Sequence, residues 1–236
     1  MKQPREALVL EQRRHRSVIR NERLTALAGG VLFVLFLLEL AVTVNLRQMI
    51  LVHIFIGTLL AGPLVVKLTS VGYRFFGYYL KSPAFVAKGP PNIWLRLLAP
   101  FFLLLTLTLF LSGLALILVG PSHAELFKLI HAGSAALWVP LLVVHVYAHI
   151  REVPRSVKAE WGLDSQVYVS GRMKRLRINL IALVLGTLGA VALMPMSRPW
   201  IHGPLEQGIP APLILGLFAA IPAMIIAVPV LRRSRP

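Results

Sequence analysis

Cysteine is absent from this 236-residue chain. That excludes disulfides, thiolate-held metal centres and Cys-ligated iron–sulfur clusters. Acidic residues are scarce too: nine Asp and Glu stand against 25 Lys and Arg, a net charge of +16. Charged residues together make up 14% of the chain, well below the roughly 25% of an ordinary globular domain. No Walker motif, no dinucleotide-binding glycine fingerprint and no Ser-His-Asp arrangement can be read from the order of residues. The first 23 residues are basic and polar, without a short apolar stretch leading to a small-residue cleavage site, so no cleavable signal is expected. No repeat suggests duplicated halves.

What the chain has instead is hydrocarbon. Hydrophobic residues make up 57% of it and the mean hydropathy is +0.75. A bilayer crossing needs roughly 20 apolar residues, and six such runs are expected at 24–46, 49–67, 98–119, 127–150, 178–196 and 211–231. The positive charge then finds its meaning. Threading six spans puts every Lys and Arg on one side except Arg47, Lys128 and Arg198. That is the positive-inside bias, with both termini cytoplasmic. The charge therefore reads as topology, with anionic membrane lipid as a partner and nucleic acid excluded.

Residues 1–23 are expected as a solvated basic tail, with an amphipathic interfacial helix as the alternative. The stretch 68–96 is expected as an aromatic, basic loop at the membrane boundary, stopped by Pro90-Pro91. The segment 151–177 reads as a connector with a turn at Trp161, Gly162 and Asp164.

Two histidines matter most. His53 and His131 each lie about four residues inside spans that run in the same direction, roughly 6 Å below the outer boundary at 1.5 Å per residue. An ionisable ring at that depth is a functional candidate by default. Two imidazoles at one level on neighbouring helices would form the axial pair of a b-type haem. Gly57, one turn below His53, and Gly133, beside His131, are expected to let a flat cofactor approach the backbone. A packing role, with each ring bonded to a neighbouring carbonyl or hydroxyl, is the alternative.

Further along span 4, His145 lies 14 residues beyond His131, about 40° around the helix and about 21 Å along it. His149 follows one turn later, and Trp138 falls midway between His131 and His145. This spacing suits a second haem, but the matching position on span 2 holds Lys67. Lys67 is expected to snorkel to the headgroups. His145 and His149 also make an i,i+4 pair for a metal ion, without an evident third ligand. Glu39, the one acidic residue deep in a span, is expected to pair with His53, help protonate a quinone, contact a bound cofactor or simply bond another helix. His15, His123 and His202 read as tail or loop residues.

The stretch from His53 to Lys67, followed by Leu68-Thr69-Ser70-Val71-Gly72-Tyr73-Arg74-Phe75 and Lys88-Gly89-Pro90-Pro91, resembles bacterial membrane cytochrome b domains. So do Leu129-Ile130-His131 and Val144-His145-Val146-Tyr147-Ala148-His149. The broad group is the cytochrome b561 and ferric-reductase-like membrane domains. The nearer likeness is to those that accompany exported molybdopterin oxidoreductases, and it covers about residues 50–150. The resemblance implies haem b on His53 and His131, with His145 or His149 serving a second haem. It also implies electron exchange between a quinone and an exported redox enzyme, in the inner (plasma) membrane of a prokaryote.

The expected fold is an all-α membrane protein of six transmembrane helices. Residues 24–150 form a four-helix, cytochrome b-like bundle, 151–177 a connector, and 178–236 an accessory hairpin with a basic tail. Two other readings remain: a cofactor-free anchor or assembly partner of an exported enzyme, and a small transporter using the histidines and Glu39 as proton sites. For the transporter, Pro63, Pro140 and Pro222 lack the symmetric placement of broken helices.

Overall fold

A computed structural model describes residues 2–90, 92–160, 170–205 and 207–233, with side chains from Arg16 to Arg232. Pro91, the expected turn at Trp161, Gly162 and Asp164, and the side chain of His15 lie outside the described residues. The fold is helical: α1 Lys2–Thr43, α2 Leu46–Tyr79, α3 Pro83–Lys88, α4 Ile93–Val119, α5 Glu125–His149, α6 Glu152–Glu160, α7 Arg172–Ser197 and α8 Ala211–Arg233. Short 3-10 turns occupy Pro121–His123 and Arg198–His202. Among the described residues six helices are long and apolar enough to cross a membrane, so the chain is read as a multi-pass membrane protein.

Several boundaries differ from expectation, each for a local reason. The basic tail is helical from Lys2 and continuous with the first span. Helix α2 runs on through 68–79, the first part of the expected loop, because no proline follows Pro63 before Pro83. It stops where Lys81 takes φ +58° and Ser82-Pro83 opens α3. Gly89, at φ +79°, ends α3, a left-handed conformation that favours glycine. Asn92 then caps α4, its side chain accepting from the Trp94 amide at 2.9 Å.

Helices α1 and α2 pack along one another, as do α4 and α5. The fifth and sixth spans do not form the expected hairpin. Helix α7 lies along α2, and α8 along α5, so each extends a different side of the bundle. Glycine explains the choice. Gly62 of α2 sits against the Ala182 carbonyl of α7, and Gly186 of α7 sits against the Leu59 carbonyl of α2. Gly216 of α8 faces Ala136 and Val139 of α5 in the same manner. Inside a bilayer, where burial of apolar surface drives little, close backbone approach of this kind selects partners.

Both ends of the bundle are tied. At the end where α1 turns into α2, buried Trp200 packs with Ile50 and Ala124 and donates its indole N–H to the Leu116 carbonyl at 3.2 Å. Arg47 donates to the carbonyls of Gly203 and Leu205 at 3.2 and 3.1 Å. At the opposite end, Arg175 of α7 grips buried Glu160 of α6 with two hydrogen bonds of 2.9 and 2.8 Å, and Arg23 of α1 approaches the same carboxylate at 3.6 Å.

Candidate functional site

His53 on α2 and His131 on α5 meet inside the bundle, near the end of the α1–α2 turn. Their ring centres are 6.2 Å apart and their planes cross at 83°. Neither α1 nor α2 packs its backbone closely on α5, so side chains alone span this seam. The depth read from the two spans brings the rings together.

The protein holds each ring by the same nitrogen. His131 donates its Nδ1–H to the Leu109 carbonyl at 3.0 Å, with the Ser112 hydroxyl at 3.1 Å. His53 Nδ1 donates to the Glu39 carboxylate, with Thr43 Oγ1 at 3.4 Å. A neutral ring that donates from Nδ1 keeps the lone pair on Nε2, the arrangement found in metal-binding histidines. With metal–imidazole bonds of about 2 Å, ring centres on opposite sides of one metal stand roughly 6 Å apart. The pair therefore matches a bis-imidazole metal centre in the spacing of its ring centres and in the nitrogen each ring leaves free.

Glu39 is thus the partner of His53, one of the roles expected for it. The glycines divide differently. Gly133 is exposed and a side chain there would meet nothing, so it faces away from the site. Two residues beyond His131 on a helix is a turn of about 200°, which accounts for the miss. Gly57 does face inward, 3.9 Å from Glu39 Oε1 for an added Cβ. The glycine that makes room for His131 is Gly113 of α4, whose added Cβ would lie 3.1 Å from the ring. Ser112, Gly113, Leu109 and Thr43 were not singled out as site residues from the sequence. Nothing in a single apolar run signals which of its small residues faces a neighbour.

Below this pair the interior is filled by aromatics. Trp138 stacks on Phe102 at 5.7 Å, meets Phe36 edge-on at 4.9 Å, and donates its indole N–H to Thr106 Oγ1 at 2.8 Å. His145 stacks on the other side of Phe102 at 5.0 Å, and His149 lies 4.9 Å beyond. Lys67 does not snorkel. Its Nζ turns inward to the Thr25 carbonyl of α1 at 3.1 Å, beside Gly29, where an added Cβ would come within 2.8 Å. Among the described residues no three His, Asp or Glu side chains converge as a metal site, so His145 and His149 gain no third ligand. His123 and His202 are exposed loop residues.

His149 donates from Nδ1 to Glu152 at 3.0 Å. That hydrogen bond, against an opposing desolvation effect, holds the Glu152 carboxyl below the usual carboxylate range. A depressed carboxyl adds stability above its unfolded value, lost as pH falls through the lowered folded value. Acidification through that range should loosen the α5–α6 junction slightly, since Glu152 is largely exposed. Amide exchange across residues 150–156 measures this, and His149→Ala should flatten its pH dependence. Equal acid sensitivity in both proteins would contradict it.

No protein-family model, curated protein or solved structure matches the chain.

Proposed function

We propose that this protein is a b-type membrane cytochrome. It carries electrons between the membrane quinone pool and a redox partner at the outer face, one resembling the exported molybdopterin enzymes. The observation that carries this reading is the pair of facing imidazoles, each held by Nδ1 with Nε2 left for a metal. His53 and His131 would hold one haem b, and a haem so held supplies a single reversible electron. Glu39, Leu109 and Ser112 fix the ring orientations, and Gly113 leaves room for the His131 ring.

The side on which this occurs follows from charge. Among the described residues Arg47 and Lys128 are the basic residues flanking the site's end of the bundle, with Arg198 in the neighbouring loop, and the others lie toward the other end. By the positive-inside rule the site's end is taken as the outer one, and the resemblance to bacterial cytochromes b supports a prokaryotic plasma membrane. Among the described residues no imidazole stands opposite His145, and Phe102 and His149 pack against that ring.

The test is direct. Full-length protein, expressed with ample haem and purified in detergent, should give a b-type reduced-minus-oxidised spectrum and about one haem per chain by pyridine haemochrome. Protein that purifies folded and haem-free under those conditions overturns the reading and leaves a cofactor-free anchor in its place.

A further inference from the structure

The two histidines are matched in depth and unmatched in what holds them. His131 is oriented by neutral acceptors, the Leu109 carbonyl and the Ser112 hydroxyl. His53 is oriented by a carboxylate. A carbonyl would fix a ring at far less cost, since a charge taken from water into the bundle carries a desolvation penalty of several kcal/mol. Orientation alone does not account for Glu39.

The surroundings of Glu39 sharpen the difference. It is 9% exposed. Its Oε2 is buried with no hydrogen-bond partner among the described residues, and the nearby Thr43 hydroxyl donates to the Glu39 backbone carbonyl at 2.7 Å. Among the described residues its one ionisable partner is His53. The carboxylate is therefore neither shared nor neutralised by Lys or Arg. Its charge is directed at one imidazole N–H, the strong, charge-assisted kind of hydrogen bond. Such a partner draws the ring proton toward itself and raises the basicity of the opposite nitrogen.

We propose that Glu39 is a positioning residue that makes His53 the stronger electron donor of the two ligands and so holds the redox potential of the site low. This rests on the cytochrome reading above. A more basic axial nitrogen favours the oxidised metal, whereas His131, with its neutral partners, exerts no such bias. The two halves of the site then have separate tasks: α4 and α5 supply an ordinary ligand, and α1 sets the potential through α2.

The experiment is redox titration of the full-length holoprotein, with haem content measured in parallel. Glu39→Gln keeps an acceptor oxygen of the same reach and removes the charge. It should retain one haem per chain and shift the reduction equilibrium at least tenfold toward the reduced form, about 59 mV upward for one electron. Ser112→Ala, on the other ligand, should move it by less than a third as much. Haem retained with an unmoved potential in Glu39→Gln overturns the inference, and so does an equal shift in Ser112→Ala. If Glu39→Gln loses haem, Glu39→Asp decides. Haem held at low potential by the shorter carboxylate supports the inference, and loss in both variants reduces Glu39 to packing. Wild-type protein without haem overturns the cytochrome reading itself and this inference with it.

Discussion

His53→Ala and His131→Ala should each abolish the low-spin haem spectrum, while His123→Ala and His202→Ala leave it intact. The first two remove one half of the only facing imidazole pair among the described residues other than His145 and His149, which lie on one helix. The other two alter exposed loops. The same replacements should differ in stability, and this separates ligand loss from misfolding. In His131→Ala the abandoned groups already have each other, because Ser112 donates to the Leu109 carbonyl at 3.1 Å. In His53→Ala the Glu39 carboxylate loses the imidazole N–H it accepts from, and its other oxygen has no partner among the described residues. Leaving a largely buried, charged acceptor without its donor costs about 1–3 kcal/mol or more. His53→Ala should therefore unfold well before His131→Ala in thermal or denaturant scans. Adding Glu39→Leu to His53→Ala should restore most of that stability and none of the haem. Equal stability of the two single variants would show that Glu39 draws little from His53.

That contrast also marks where sequence reading succeeds. Depth along a helix follows from counting residues, so the level of His53 and His131, and the match between them, could be read without coordinates. Rotation about a helix is fixed only relative to its neighbours. Ser112 and Gly113 sit in a run of leucines whose pattern carries no inward face, and only the packing of α4 on α5 turns them to His131. Counting residues gives the level of Lys67 but not its direction. Its chain length permits either snorkelling or the inward bond, and the notch at Gly29 of α1 decides for the latter. The pairing of α7 with α2, rather than α8, was hidden for the same reason. It depends on which backbones can touch, and composition is silent on that.

The contact between α2 and α7 leads to the second large effect. Gly62→Ala or Gly186→Ala adds a single methyl to each helix, and in both cases it points at a backbone carbonyl, of Ala182 or of Leu59. A side chain can swing aside, but a carbonyl within a helix cannot, so the two helices must part along the whole crossing. Overpacking of this kind costs about 1–3 kcal/mol and more where backbone is the obstacle. Gly216→Ala should cost less, since Val139 Cβ and the Ala136 carbonyl stand at 3.0 and 3.1 Å and yield with a small shift. Gly30→Ala is the control: nothing lies within 4 Å of its added Cβ, and alanine favours the helix. Thermal unfolding in detergent should rank the variants with Gly62 and Gly186 lowest, Gly216 between, and Gly30 at or above wild type. The effect should reach the site as well. Gly62 lies nine residues below His53 on α2, and a helix pushed off α7 at that point tilts His53 away from His131. Haem content in Gly62→Ala should fall together with stability. A stable Gly62→Ala protein with full haem would show that α7 does not set the position of α2.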